Sequence, residues 1–530
     1  MRITNKIIQQ NNLSNINTNK IYQDKLSNQM STQKKINRPS DDPVIAIRAL
    51  RLRSNVTEVT QYYSKNIPDA ESWLSVTEDA LDNLSKVMTE MIKQCTKGFN
   101  SPLKTEDRQI ILKQMKALGD EVYATGDADY AGRYIFTGYR TDTSLSFLKE
   151  ETKPYTITEQ LDNSAIDSVT KVNLKNEDGR SLLDLNSTNF MNADMKTMDE
   201  EDISIVEVHR IRLAYDSCSD YQDAAGVSPS IRFTDADGNP QEWTGFADAG
   251  GDIKLMHSYE DPYSAVAADE NAIVYVPETG EVLLGEERYK TLMAVKDDAA
   301  TKGNEAEIRI TYEKNSWAKG DLRPEHYFYC ESNPRTEESI VYNKTYLSDD
   351  AERQDIEYDV GFNQTIRVNS TADQCFQHGI GREVDDLVNA MQDVLDLEGV
   401  KADIEEAMKS AEEGSESEKV LKQQLDAVNK ALTFAKDKEQ KLFGKGITAF
   451  QGYLDDASMC ITECGTRSSK LSLIKARMQN QKTSFETLKS ENEDIDITEV
   501  AIYLSSAKLT YDASLAATGK VAQTTLLNYI

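Results

Sequence analysis

The sequence predicts an α+β, multidomain chain: a discontinuous helical coiled-coil bundle built from both termini, with a β-rich domain inserted in the middle. Three observations predict it. Apolar residues recur every three or four positions in the flanks and every second position in the middle, the periods of helix and strand. Seven of the eleven prolines lie in residues 141–380 and none follows Pro334, which leaves almost 200 residues open to long helices, since a proline in a helix interior costs ~3 kcal/mol. Charge divides the same way: residues 1–60 carry 10 basic and 4 acidic side chains, whereas residues 141–380 are net −26 within a chain of net −30.

Taken in order, the first helical stretch carries Ile3, Ile7, Leu13 and Ile16, then breaks at Arg38-Pro39-Ser40-Asp41-Asp42-Pro43. Pro43 suits the first position of a new helix with Asp42 as its N-cap, and the spacing of Val44, Ile47 and Leu50 predicts its apolar side. Leu74, Thr77, Leu81, Leu84, Met88, Met91 and Cys95 follow at alternating steps of 3 and 4, the seam of a coiled coil over three heptads. Thr105 is the expected N-cap of the next helix, with Glu106 and Asp107 in the first turn where the dipole favours anions. Ile111, Met115, Leu118 and Val122 continue the pattern there.

The period then changes. Ile308, Ile310 and Tyr312 alternate with polar residues as in a half-buried strand. Ile273–Val276 and Glu281–Leu284, joined by Pro-Glu-Thr-Gly, read as a hairpin, and Ile356, Tyr358 and Val360 alternate with acids. Residues 398–440 return to helix as a hairpin with a polar loop at Gly414-Ser-Glu-Ser. At the far end Ile497, Val500, Leu504, Ala507, Tyr511 and Leu515 form one stripe, extended by Ala522, Leu526 and Tyr529. The expected domains are 1–45 with 490–530, 46–145 with 375–489, and 146–374.

Composition and motifs argue against several function classes. A chain of net −30 lacks the clustered Lys and Arg that neutralise phosphates, so no nucleic-acid partner is expected. No run approaches 18 apolar residues, so no membrane span is expected, and Met1–Gln10 lacks the apolar core of a cleaved secretory signal. None of the four histidines starts an H-E-x-x-H helix, and neither phosphate-binding glycine motif nor a G-x-S-x-G elbow is present. Asp235-x-Asp237-x-Asn239 imitates the start of a calcium loop, but Pro240 stands where that loop needs glycine and Phe246 where it needs glutamate; a turn is the better account. Cys460 and Cys464 lie one helical turn apart with no partner pair at metal spacing, so the six cysteines are expected to be free thiols. No cofactor, metal or catalytic residue is expected, and the chain is not expected to be an enzyme.

Met1-Arg-Ile-Thr-Asn, Lys35-Ile-Asn-Arg-Pro-Ser-Asp-Asp-Pro43, Arg48-Ala-Leu-Arg-Leu-Arg53, Asn66 with Trp73-Leu74, and Gly132-Arg133-Tyr134-Ile135-Phe136-Thr-Gly138 together resemble the flagellin-like axial proteins of the bacterial flagellum, and within them the hook–filament junction subunits. Asp494-Ile-Asp-Ile-Thr-Glu499 and Leu526-Leu-Asn-Tyr-Ile530 are similar to the same family's C-terminal helix. A glycine that the family carries near Thr32-Gln33 is absent here. The resemblance covers roughly 1–147 and 350–530.

It implies a structural, extracellular protein, exported by the flagellar secretion apparatus without a cleaved signal. The implied partners are copies of itself in a ring, hook-associated protein 1, flagellin, and an export chaperone on the C-terminal helix. Flagellin proper and a flagellum-displayed adhesin are the alternative roles. Assembly is expected to rest on Ile3, Ile7, Leu13, Ile16, Ile497, Val500, Leu504, Tyr511, Leu515, Leu526 and Tyr529, and not on the acidic middle.

Overall fold

Prolines and capping aspartates set the first helix boundaries. In the computed structural model, which describes residues 5–100, 103–176, 178–222, 227–235, 238–294, 308–347 and 354–523, helix α1 (Asn5–Thr32) stops where Gln33 adopts a left-handed backbone, φ +58°. The Asp41 carboxylate accepts the N–H groups of Asn37 (3.1 Å) and Arg38 (2.9 Å), and those bonds hold it below the usual carboxylate range. Asp42 then caps α2 (Pro43–Gln61), its Oδ1 accepting from Val44 and Ile45 N–H, as the sequence predicts. Directly after Gln61, α2 passes into a five-residue π turn, Tyr62–Asn66, closed by the Ile67 N–H donating to the Tyr62 carbonyl. Helices α3 (Ile67–Asn100) and α4 (Thr105–Gly126) follow.

The chain forms two units, residues 1–71, 358–366 and 468–530, and residues 72–357 and 367–467. Both termini contribute to the first. There α1 packs on the C-terminal helix α10 (Ile497–Gln523), with Leu26, Val500 and Ala507 buried and Leu504 partly so. Asn19 Nδ2 donates to Ser514 Oγ at 3.1 Å along the same seam.

The second unit holds the main cores. All seven residues of the predicted α3 seam, Leu74 through Cys95, are buried. The unit's β region begins with a small ribbon, β1 (Asp129–Tyr130) with β2 (Arg133–Tyr134). A six-stranded sheet then runs in the order β13 (Ile340–Tyr342), β12 (Tyr329–Ser332), β3 (Glu151–Leu161), β11 (Ile308–Trp317), β6 (Ser230–Thr234), β7 (Pro240–Thr244). A five-stranded sheet runs β4 (Ile166–Asn173), β5 (Ser204–Arg212), β10 (Glu281–Leu284), β9 (Ile273–Val276), β8 (Lys254–Leu255), with the short helix α5 (Pro262–Ala267) packed on it. The β9–β10 pair is the hairpin read from the sequence. Helix α6 (Glu286–Met293) leads out of β10. A last hairpin, β14 (Glu357–Gly361) and β15 (Gln364–Arg367), belongs to the first unit through residues 358–366, and α7 (Ala372–Cys375) of the second unit follows it in the chain. Among the described residues no strand occurs between 70 and 125.

Helix α8 (His378–Ser410) turns at Gly414, φ +80°, into α9 (Glu416–Glu493), which contains no proline. Between the two, Val394, Leu397, Ile404, Val428 and Leu432 bury against the loop that carries Leu182, Met195 and Ile203. Arg108 of α4, 2% exposed, joins both helices: it donates through Nε and Nη2 to Glu439 at 2.8 and 3.1 Å, and through Nη1 to both Glu398 oxygens at 3.2 Å.

Two local expectations are corrected. Thr105 is the first helical residue of α4 rather than its cap; Lys104 occupies the cap position and Thr105 Oγ1 donates to Glu398 at 2.7 Å. On α2 the buried residues are Ala46, Ala49 and Val59, while Val44, Ile47 and Leu50 are 59%, 54% and 64% exposed. Apolar spacing marks a face of a helix but does not say whether this chain covers it, and here the face that is buried is the one carrying the alanines.

Candidate assembly surface

The terminal unit carries its apolar side chains on the outside. Ile7, Leu13, Ile21 and Tyr22 of α1 are exposed, as are Ile497, Ile502, Leu509 and Leu515 of α10. Of the residues expected to mediate assembly, Val500 is buried in the α1–α10 seam, Ile16, Leu504 and Tyr511 are half-buried, and Ile7, Leu13, Ile497 and Leu515 face solvent. Ile3, Leu526 and Tyr529 lie outside the described residues. One seam thus serves the helix pair, and among the described residues the remainder is left exposed. Reading only the 497–515 stripe missed Ile502 and Leu509, whose seven-residue spacing marks a second face.

What positions these helices is a charged node at the end of α9. Glu493 is buried and accepts from Arg53 of α2 through two parallel bonds, Nε at 2.6 Å and Nη2 at 2.7 Å. Lys34 Nζ lies 3.6 Å from the same carboxylate and 2.5 Å from Asp494. The Arg53 hydrogen bonds hold Glu493 below the usual carboxylate range, and the Asp494 contact raises Lys34. Backbone pairing reinforces the node: Lys35 N–H donates to the Glu493 carbonyl (2.7 Å) and Ile495 N–H to the Gln33 carbonyl (3.2 Å). The two ends of the chain are therefore tied where α1 stops and α10 starts, which fixes the phase of both exposed faces.

The second sequence block, Gly132–Phe136, is a packing knot in the other unit. Gly132 has φ +77° between the two strands of the ribbon, a conformation that glycine adopts without strain. It delivers the Arg133 guanidinium over the Trp73 ring at 4.9 Å and near Tyr130 at 5.9 Å. Tyr134 is half-buried, and Ile135 and Phe136 are buried, Phe136 meeting Phe376 edge-on at 4.8 Å. The Phe136 carbonyl accepts from Ala372 N–H.

Among the described residues no three His, Cys, Asp or Glu side chains are grouped to hold a metal ion, and no helix is long and apolar enough to cross a membrane.

Residues 3–141 match the family model of the bacterial flagellin N-terminal helical region. The matched segment contains α1 to α4, the double-aspartate turn and the Gly132–Phe136 knot. Two curated relatives are named flagellar hook-associated protein 3, from Salmonella typhimurium and Escherichia coli. Each is 28% identical over 145 residues, which is 27% of this chain and 45% of the relative. The chain thus spans about half the length of the curated relatives it matches. Solved structures with similarity include a flagellar hook-associated protein from Vibrio parahaemolyticus (13% identity, 86% of this chain and 100% of that one, TM-score 0.34). Another is the flagellar junction protein FlgL from Legionella pneumophila (13% identity, 81% and 99%, TM-score 0.28).

Proposed function

We propose that the chain is a structural subunit of the bacterial flagellum that joins hook to filament and is needed for filament assembly and motility. One observation carries this reading: the segment that matches the flagellin N-terminal region is also the one whose helices, with α10, leave large apolar side chains exposed. A Leu or Ile removed from water contributes roughly 1.5–3 kcal/mol, and a ring repeats each contact in every subunit. Surface carboxylates of the acidic middle contribute ~0–1 kcal/mol even when paired.

In this reading copies of the chain form a ring between hook-associated protein 1 and flagellin. Residues 1–45 with 490–530 face the axis, residues 46–145 with 375–489 form the surrounding bundle, and 146–374 point outward. A chaperone covers α10 during export through the flagellar secretion apparatus, and the mature protein is extracellular and performs no catalysis.

Electron microscopy of a strain lacking the gene tests it. Bare hooks with flagellin released into the medium are expected; hooks bearing intact filaments would overturn the proposal.

A further inference from the structure

The cysteines that matter are not the pair one turn apart. Cys464 points its thiol at the Leu74 carbonyl, 3.4 Å away. Cys460 instead faces α7: its thiol lies 3.8 Å from the Gln374 carbonyl and shares a hydrogen bond with the thiol of Cys375, 85 positions earlier in the chain.

The two sulfurs differ in a way that suits exchange chemistry. Burial pushes the Cys95 and Cys218 thiols up to about 12 and Cys464 up to about 11. Cys460 moves the other way, its thiolate held down by the bond from Cys375, with Arg467 assisting against Glu463 and Asp456; Cys375 is raised as the donor. Cys460 is also the more accessible, 8% exposed against 2%.

We propose that Cys375 and Cys460 are a disulfide-forming pair, a covalent modification site that fastens α7 to α9. With a small-molecule disulfide as oxidant, the Cys460 thiolate attacks one sulfur of the reagent, forming a mixed disulfide and expelling one thiolate. The Cys375 thiolate then attacks the Cys460 sulfur, forming the protein disulfide and expelling the second. Two protein thiols are oxidised, one reagent disulfide is reduced to two thiols, and the two protein protons end on the released thiols. The oxidising setting is the extracellular one that the proposed function implies, but the exchange depends on these two residues alone.

The consequence is structural. Phe376, next to Cys375, packs on Phe136, and α7 accepts no other covalent restraint before α8 begins. A bond to α9 closes a loop of about 85 residues around α8 and so constrains the unfolded chain strongly.

The test uses the purified full chain incubated with oxidised glutathione. Thiol titration in denaturant should fall from six to four, non-reducing peptide mapping should recover the Cys375–Cys460 cross-link, and the melting temperature should rise by several degrees, reversibly with reductant. In Cys375→Ser the glutathione should remain on Cys460 as a stable adduct, with no cross-link and no rise in melting temperature. Six free thiols after incubation, or a cross-link between any other pair, would overturn the proposal. A failed cross-link leaves the junction role standing, because that role is read from filament attachment.

Discussion

The two units handle the same kind of side chain in opposite ways. In the larger unit a 3.5-residue apolar seam on α3 is covered from Leu74 to Cys95, and the buried charges are paired, as at Arg108. In the terminal unit α1 and α10 share a thin seam around Leu26, Val500 and Ala507, and α1, α2 and α10 leave larger residues, Leu13, Leu50 and Leu509 among them, in water. The difference separates stability from association. A covered seam stabilises the fold of one chain, whereas an exposed one is a resource that only another surface can use.

The largest expected effect breaks the comparison directly. Leu84→Asp places an unpartnered carboxylate in a covered seam and should destabilise the larger unit by at least ~4 kcal/mol, seen as collapse of its thermal transition. Leu515→Asp, on an exposed position, should leave the melting curve within ~0.5 kcal/mol of wild type while abolishing filament attachment in a complemented deletion strain. Equal thermal effects of the two would show that α10 is covered in the free chain after all.

Next in size is the ion pair. Arg108→Ala leaves the buried Glu439 carboxylate unpartnered and should cost about 3–5 kcal/mol in denaturant unfolding, restored in part when Glu439→Gln is added. A comparable double variant at the more exposed Arg53–Glu493 node should cost less, which would sharpen the contrast between the units.

Acid should act on the larger unit through two histidines. Burial pushes His378 down to about 3 and His326 down to about 4, the latter with Nε2 at 3.0 Å from the Ser144 carbonyl. The unfolded chain binds both protons below about 6.5 and the folded unit does not, so stability falls as pH drops from 6.5 toward 4. Glu159 opposes this. Burial raises it to about 7 despite bonds from Tyr312 Oη and the Ala214 N–H, so between 4.5 and 7 the folded unit binds a proton that the unfolded chain does not. Asp321, Asp385 and Glu439, raised chiefly by burial, act on the same side as Glu159. Removing the Glu159 proton with Glu159→Gln should therefore make stability fall more steeply with acid, by about 1.4 kcal/mol per pH unit between 4.5 and 6.5, measured by urea titrations across that range. An unchanged slope would mean Glu159 does not titrate there.

The smallest effect concerns Gln33, which holds φ +58° at the end of α1, a conformation that glycine adopts without strain. Gln33→Gly should stabilise the terminal unit by about 1 kcal/mol by relieving that conformation. Hydrogen exchange at α1 amides is the measurement, with α3 amides as the unaffected reference.

What could be read from the sequence was what depends on neighbours along the chain. The Asp42–Pro43 helix start, the α3 seam and the β9–β10 hairpin each follow from a few adjacent residues, and each is where it was expected. Strand order was not legible, because β3 pairs with β11 across some 150 residues and neither strand encodes its partner. The exposure of Val44, Ile47 and Leu50 was not legible either, since periodicity names a face and not its cover. The thiol pair was missed for the same reason: spacing brought Cys460 to Cys464, and folding brought it to Cys375.

The π turn at Tyr62–Asn66 has an evolutionary reading. A π turn holds one residue more than the α-helix around it, so the loss of a single residue there would restore a regular helix. Here the extra residue is held in place by its surroundings: Tyr62 meets Phe362 edge-on at 5.7 Å, and Asn66 Nδ2 donates to the Asp359 carbonyl at 2.8 Å. A homologous chain one residue shorter between 61 and 67 would carry an unbroken helix there. It would also have to give up one of those two contacts, so a gap at this point in an alignment should coincide with change at the positions of Phe362 or Asp359.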